Sequence, residues 1–458
     1  MNLYQDNLVV TDKAFKAYDI RGRVPEELNE EIAYRVGRAF VAHFGAKRVV
    51  IGRDMRLTGP ALFAALAKGV TDAGADVVDI GMVGTELVYF ATSHLNADGG
   101  IMITASHNPA EYNGLKLVKR ESRPVSGDTG LKELAKLVLA GDFGPAADQA
   151  GKIDTADVVD AYIQHLLTYI EPEKIKPFTI VTNPGNGCAG AVLDKLLPHL
   201  PVTAVRIYDE ADGTFPNGVP NPLLPENRAA TANVVLEETA DLGVAWDGDY
   251  DRCFLFDEQG QFIEGYYIIG LLAEQFLARQ PGAKIIHDVR LAWNSEEVVR
   301  AAGGIPLPAV SGHAFMKERL RQEDAVYGGE MSAHHYFKAF YYCDSGMIPW
   351  LIVLRAMSAT GKSLSELVGE RMKRYPASGE INSTVQDAPA KIAELEARYA
   401  PGAVKVDHLD GLSVEYENWR FNLRMSNTEP LLRLNVESRG DEALMKQKTE
   451  ELLALIRA

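Results

Sequence analysis

Cysteine is scarce in this chain: Cys188, Cys253 and Cys343 are the only three in 458 residues, far apart and odd in number. That spacing offers neither a disulfide framework nor a metal cluster, and it points to a reducing compartment. Basic residues are in the minority, 47 Lys and Arg against 63 Asp and Glu, for a formal charge of −16. A surface of that sign disfavours nucleic acid and anionic membranes as partners. Any anionic substrate must then be held by a local basic pocket. Long apolar runs are missing as well. The stretches near Ile268 and Leu351 are cut by Glu274 and Arg355, too short to span a bilayer. The N-terminus, Met1-Asn-Leu-Tyr-Gln-Asp6, shows no basic segment followed by an apolar core. No short-period repeat or low-complexity tract occurs. The expectation is a cytoplasmic, multidomain globular protein that acts on a small molecule.

What is present is strand–helix alternation. At 458 residues, 47% of them hydrophobic and 24% charged, the chain exceeds one ordinary core. An extended lead-in, Lys13 to Arg23, carries Tyr18, Asp19, Arg21 and Arg23. Strands are expected at Arg48–Ile51, Asp76–Ile80 and Ile101–Ile103, with helices at Ala61–Asp72 and Leu131–Ala140. The Gly-, Ala- and Asp-rich run Gly141 to Gly151 reads as a linker. A second unit follows, with strands Phe178–Val181, Ala204–Tyr208 and Gly243–Trp246 and helices from Ala189 and about Glu226. A third runs from about Asp257, with a helix at Tyr267–Ala278, a strand at Lys284–His287, and helices near Glu296 and Phe315. Three βαβ-type units imply doubly wound, mixed or mostly parallel α/β sheets. The tail differs, with strands near Leu412–Tyr416, Trp419–Leu423 and Leu431–Val436 between helices Ala390–Tyr399 and Glu442–Ile456. It reads as α+β. The domain boundaries expected are 1–150, 151–256, 257–372 and 373–458.

Four stretches carry chemistry. Gly100-Ile-Met-Ile-Thr-Ala-Ser-His-Asn-Pro109 runs from an apolar strand into a loop that can present the Ser106 hydroxyl to a cleft. On spacing alone Ser106 reads first as a residue of an Asn-Pro turn, since most serines in that setting are only turn residues. Asp247-Gly-Asp-Tyr-Asp-Arg252 sets three carboxylates at i, i+2 and i+4, which repel unless a cation joins them. Hard oxygen ligands suit Mg²⁺, and three protein carboxylates leave positions open for water or a phosphate oxygen. A calcium EF-hand is excluded, because Arg252 replaces the glycine its sixth position needs. Gly328-Gly-Glu-Met-Ser-Ala-His-His335 presents an acid, a hydroxyl and two imidazoles, a set suited to sugar hydroxyls and proton transfer. Arg424-Met-Ser-Asn-Thr-Glu-Pro-Leu-Leu-Arg433 surrounds a polar turn with two guanidinium groups, as a phosphate cradle would. Two weaker patterns are set aside. Gly185-Asn-Gly-Cys-Ala-Gly190 fits a dinucleotide fingerprint, with Asp209 placed 19 residues on, yet a tight strand-to-helix turn explains the same glycines. Gly361-Lys-Ser363 lacks the upstream glycine of a P-loop, and Ser363-Leu-Ser-Glu366 reads as a helix capping box.

In this order, and with Lys16-Ala-Tyr-Asp-Ile-Arg-Gly22 and Asn113-Gly-Leu-Lys116, the motifs resemble the α-D-phosphohexomutase superfamily, most closely its bacterial phosphomannomutase/phosphoglucomutase branch. The resemblance covers nearly the whole chain. It implies four domains around a central cleft and an enzyme that moves phosphate between O1 and O6 of a hexose through a hexose 1,6-bisphosphate, glucose 1,6-bisphosphate or its mannose counterpart. By the same resemblance Ser106 is the phosphoserine, and Mg²⁺ is held by Asp247, Asp249, Asp251 and a phosphoserine oxygen. Glu330 and Ser332 read the sugar O3 and O4. Arg424, Ser426, Asn427 and Thr428 grip the non-reacting phosphate, with Tyr18 and His313 nearby. Arg21, Lys116 and His334 are candidates for proton transfer or charge neutralisation, and Arg252 and Arg290 for phosphate contacts. A monomer or small homo-oligomer is implied. Departures from the family pattern are Met425 beside Ser426, Val310 where a lysine is common, and Arg290 where lysine is frequent. The alternatives are a phosphoglucosamine mutase, against which Met331 counts because that branch usually has Gln there, and a phosphosugar phosphatase.

Overall fold

A computed structural model describes residues 9–425 and 431–458, which form two compact units. One holds the chain up to Phe262 together with Ala339–Ala359; the other holds Ile263–Lys338 and Thr360–Ala458. Each unit is built on two sheets. Among the described residues no helix is long and apolar enough to cross a membrane.

In the first unit, strands run in the order Ile20–Arg23, Tyr112–Lys119, Gly99–Ile103, Arg48–Arg53, Asp76–Met82, Ile153–Thr155, with Arg123–Pro124 beside Tyr112–Lys119. The centre is parallel, but Tyr112–Lys119 pairs antiparallel with both neighbours. The sheet is therefore mixed, as the expectation of mixed or mostly parallel α/β sheets allowed. Helices Glu30–Phe44 and Gly59–Asp72 cover it. They touch backbone to backbone, since a Cβ on Gly69 would stand 2.0 Å from the Tyr34 carbonyl oxygen. The helix Glu30–Phe44 departs from expectation, which placed no element between Arg23 and Arg48; Asn29 caps it by accepting from the Ile32 N–H, and Gly45 ends it in the left-handed region. Helices Thr85–His94 and Ile348–Thr360 are likewise additional. The run Gly141–Gly151 is mostly exposed, as a linker would be, yet its Gly144 and Pro145 carbonyls accept from the buried Arg38 at 2.8 and 2.7 Å. The second sheet runs Phe262–Ile263, Cys253–Phe256, Leu242–Trp246, Phe178–Asn183, Val202–Arg206; Leu242–Trp246 pairs antiparallel with Cys253–Phe256 and parallel with Phe178–Asn183, which is parallel to Val202–Arg206.

In the second unit, Ile305–Ala309, Lys284–Asp288 and Tyr327–Gly329 are parallel, and His335–Phe337 returns antiparallel to the last of them. The remaining sheet, Ile381–Thr384, Leu431–Ser438, Trp419–Met425, Leu412–Glu415, Lys405–Asp407, is antiparallel throughout. It packs Phe421, Leu423, Leu432, Leu434 and Val436 against Leu395, Leu452 and Ile456 of its two helices. Ser363 and Glu366 form the expected capping box, with both reciprocal hydrogen bonds.

The four motifs share one placement in the chain. Each of the four motifs lies at the connection between two antiparallel strands: Ile103 to Tyr112, Trp246 to Cys253, Gly329 to His335, and Met425 to Leu431.

Candidate active site

Ser106 is fixed from below. The strand Gly99–Ile103 is wholly buried, and Gly100 must be glycine because a Cβ there would stand 2.1 Å from the Thr92 hydroxyl oxygen. Past the strand the Ser106 N–H donates to Thr104 Oγ1 at 2.8 Å, and Ser106 adopts φ +49°. For a non-glycine residue that conformation costs about 1 kcal/mol or more, so surrounding contacts must hold it. Arg56, 1% exposed, supplies them. Its guanidinium donates to the carbonyls of Ser106 (3.0 Å), Asn108 (2.6 Å), Pro109 (2.7 Å) and Tyr112 (2.9 Å). The loop thus presents a hydroxyl in one orientation. Ser106 Oγ donates to Asp247 Oδ2 at 2.6 Å and lies 3.0 Å from His107 Nδ1. Burial, then the charges of Arg252 and Arg21, push the His107 imidazole well below its ordinary pKa.

The acidic hairpin faces it. Asp247, Asp249 and Asp251 are buried, and one carboxylate oxygen of each lies within 4.8 Å of the other two. Cations meet this charge. Lys116 Nζ sits 2.6 Å from Asp249 Oδ2 and 2.5 Å from Asp251 Oδ2. Arg252 donates through Nε (2.9 Å) and Nη2 (2.8 Å) to Asp247 Oδ2, and it also meets His107. Burial alone would lower the Lys116 pKa; the two aspartates reverse this and raise it, so the ammonium stays charged. Burial would raise the Asp249 pKa, but Lys116, the Thr85 hydroxyl and Arg21 hold it far below the usual range. Arg21 bridges Asp19 (2.7 Å) and the Asn108 amide oxygen (2.8 Å), while Tyr18 stands half-buried three residues earlier. The Gly185-x-Gly-x-x-Gly190 turn belongs to this hairpin's support. A Cβ on Gly187 would stand 2.7 Å from the Gly248 carbonyl oxygen, and the Cys188 N–H donates to that same oxygen at 3.0 Å. Close packing explains those glycines.

In the second unit, Glu330 is buried at the hairpin after Gly329. Its carboxylate accepts from the Gly312 N–H at 2.8 Å and from the Tyr336 hydroxyl, and Arg290 Nη2 lies 3.6 Å away. Arg290 Nη2 also donates to Ser332 Oγ at 3.3 Å and to Asp288 at 2.8 Å. Burial opposes the charge on Arg290, but Asp288, Glu380 and Glu330 keep its pKa raised. His334 lies on the same turn, with its carbonyl accepting from the Glu330 N–H. His313 opens the helix His313–Glu323. His335 is a core residue: it is buried, hydrogen-bonded to the Tyr327 hydroxyl at 2.7 Å, and pushed by burial to a pKa of about 3. Arg424, at the end of its strand, lies 3.4 Å from Glu380. Ser426, Asn427 and Thr428 lie outside the described residues.

Four models of the phosphoglucomutase/phosphomannomutase family match the chain: alpha/beta/alpha domain I over residues 12–144, domain II over 160–260, domain III over 264–375 and the C-terminal domain over 380–454. The phosphomannomutase of Salmonella montevideo is 59% identical over 448 residues, covering 96% of this chain and 98% of its own. A Xanthomonas campestris pv. campestris protein named for phosphohexose mutases is 55% identical, over 98% of this chain and 100% of its own. A solved structure of a phosphoglucomutase/phosphomannomutase family protein from Burkholderia thailandensis matches with a TM-score of 0.88 at 34% identity, covering 98% of this chain and 97% of that one. The chain belongs to the phosphoglucomutase/phosphomannomutase family.

In this family member the acidic hairpin fits a divalent cation. Its donors are hard carboxylate oxygens, and Asp249 Oδ1 is buried without a hydrogen-bond partner. An oxygen left so would be costly unless a ligand used it. Sequence reasoning missed Arg56, Thr85, His107 and Glu380. Arg56 had a signal, the charged step Asp54-Met55-Arg56 directly after a buried strand. For Thr85 and Glu380 nothing local marks the role, because their partners lie far along the chain.

Proposed function

We propose that this phosphohexomutase interconverts the 1-phosphate and 6-phosphate of glucose, mannose or both, through a phosphoserine at 106 and a hexose 1,6-bisphosphate. Family membership and the phosphomannomutase relatives support the mutase activity. The observation that carries the residue assignment is the Ser106 hydroxyl, hydrogen-bonded at 2.6 Å to Asp247 within a buried triad flanked by Lys116 and Arg252. The family segments act as four domains, with boundaries near 150, 256 and 372. Three buried free cysteines suit a reducing, cytoplasmic setting.

Asp247, Asp249, Asp251 and an oxygen of phosphorylated Ser106 would hold Mg²⁺, which when bound would supply Lewis-acid stabilisation of the transferring group. The chain's own residues do the positioning. As the bond from phosphorus to a free sugar hydroxyl forms, the bond to Ser106 Oγ breaks. The bisphosphate then reorients, and its other phosphate returns to Ser106. Lys116 remains protonated between its two aspartates, which suits it to offset charge rather than to accept a proton. Arg21 and Arg252 add to that positive charge, and His334 is the remaining candidate for the hydroxyl proton. Glu330 and Ser332 read O3 and O4. Neither is at C2, so glucose and mannose both fit. Arg424, Ser426, Asn427 and Thr428 hold the non-reacting phosphate, with Tyr18, His313 and Arg290.

Coupled assays of glucose 1-phosphate and mannose 1-phosphate, with catalytic glucose 1,6-bisphosphate, test this reading. Wild type is expected to isomerise both, and Ser106→Ala to lose at least about a thousand-fold in kcat. Equal isomerisation by the two proteins would remove the phosphoserine, and release of inorganic phosphate without a 6-phosphate sugar would make the enzyme a phosphatase.

A further inference from the structure

Thr85 is fully buried and opens the helix Thr85–His94, but its side chain does not cap that helix. It turns instead to the acidic hairpin. Thr85 Oγ1 donates to Asp249 Oδ2 at 2.5 Å, and the Thr85 N–H donates to the Asp249 main-chain oxygen at 3.0 Å. Lys116 Nζ contacts the same Oδ2 at 2.6 Å and reaches Thr85 Oγ1 at 3.4 Å, closing a small network. The docking is tight. A Cβ on the preceding Gly84 would stand 2.2 Å from the Tyr250 ring and 2.5 Å from the Asp249 carbonyl oxygen. Threonine is a weak helix former, so helix stability gives no reason for it at this position. The one oxygen of Asp249 left without a partner is Oδ1.

We propose that Thr85 is a positioning residue of the metal site: with Lys116 it occupies Oδ2 of Asp249 and so turns Oδ1 toward the divalent cation. This rests on the reading of the acidic triad as a Mg²⁺ site. A carboxylate free to swing about its χ2 bond offers either oxygen to solvent or metal. One anchored at Oδ2 from two sides, and at its own backbone, offers a single oxygen without loss of side-chain entropy on binding. Removing such an outer-shell partner typically costs 10–100-fold in metal affinity or activity. Valine matches threonine in shape but lacks the hydroxyl, whereas serine keeps the donor and drops only a methyl group.

The test is calorimetric titration of MgCl₂ into the full-length enzyme, with the Mg²⁺-dependent rise in melting temperature over an EDTA control as a second readout. Thr85→Val is expected to bind Mg²⁺ about tenfold more weakly or worse, and Thr85→Ser within about twofold of wild type. Turnover of Thr85→Val should recover as Mg²⁺ is raised, with the KM for mannose 1-phosphate unchanged. If Thr85→Val does not fold, Thr85→Ala gives the same comparison without adding any atom. Mg²⁺ affinity of the hydroxyl-less variant within twofold of wild type would overturn the role of Thr85 alone. Absence of saturable Mg²⁺ binding to wild type, or binding that survives Asp249→Asn, would overturn the metal site and this inference together.

Discussion

Glu380 sits among three arginines. Arg290 lies 3.1 Å and Arg424 3.4 Å from its Oε2, and Arg433 lies 3.0 Å from its Oε1. Burial disfavours its charge, yet the three guanidinium groups hold its pKa down to about 2. Three guanidinium groups around one carboxylate are also a receptor for phosphate. Replacing Glu380 by Gln removes one negative charge and leaves the forks in place. Inorganic phosphate is then expected to inhibit more strongly, its Ki falling about three- to tenfold, as a gain of 0.7–1.4 kcal/mol would give. Weaker inhibition by phosphate in Glu380→Gln would show that the carboxylate's aligning of the arginines outweighs its competition. At this scale the sequence was legible where the chemistry is local. The carboxylates of Asp247, Asp249 and Asp251 stand two residues apart in sequence, and the fold brings one oxygen of each within 4.8 Å of the others. Glu380 meets its arginines across 44 to 90 residues and Thr85 meets Asp249 across 164, so no window of sequence contains either pair.

Helices in this fold use glycine in two opposite ways. Glu30–Phe44 and Gly59–Asp72 approach until a Cβ on Gly69 would stand 2.0 Å from the Tyr34 carbonyl oxygen, and one on Gly37 2.4 Å from that of Leu66. Neither neighbour is a flexible side chain, so the helices would have to move apart. Gly69→Ala should cost about 1–3 kcal/mol, read as a lower urea midpoint. Gly369, inside the helix Leu364–Arg374, has open space where a Cβ would go. There Gly369→Ala should stabilise by up to about 1 kcal/mol through helix propensity. Changes of the same sign in both variants would contradict this account of packing. The helix Glu30–Phe44 also shows what periodicity conveyed and what it did not. Its signals were present: Asn29 as cap, Glu30 and Glu31 in the first turn, and Gly45 at the end. Its ten buried positions include Glu31, Gly37 and Arg38, which blur the apolar stripe that the eye follows. The strand Tyr112–Lys119 hid for a related reason. It is buried on both faces yet carries Asn113, Gly114 and Lys116: Gly114 because a Cβ would stand 2.3 Å from the Ile20 carbonyl oxygen of the neighbouring strand, and Lys116 because its ammonium meets Asp249 and Asp251. The return strands Tyr112–Lys119 and His335–Phe337 were not anticipated, whereas those after the Asp247 and Arg424 motifs, Cys253–Phe256 and Leu431–Ser438, were legible as apolar runs.

In a molecule with net charge −16, the buried cations are fixed in place and kept protonated by ion pairs with carboxylates. Lys116, Arg252 and Arg290 each have aspartate or glutamate partners at 3.1 Å or less. Glu86 stands outside this pattern. It is fully buried beside the Tyr162 hydroxyl, with Ser345 and the Met347 N–H as its other polar neighbours and the charge of Asp251 acting against ionisation. Burial raises its pKa from 4.5 to about 8, only partly offset by those neutral hydrogen bonds. An unfolded chain therefore releases this proton near pH 4.5, and the folded one holds it to about pH 8. Between those values the folded state carries more protons, so the contribution of Glu86 is complete below pH 4.5 and declines as pH rises, by about 1.4 kcal/mol per pH unit. Above pH 8 it levels off. Glu86→Gln keeps the shape and the hydrogen bonds of the neutral acid but cannot ionise. Its unfolding free energy, measured in urea at pH 5, 6, 7 and 8, should gain on wild type steadily across the series. Parallel curves for the two proteins would mean that Glu86 is already ionised in the folded state, with a cation or water stabilising it.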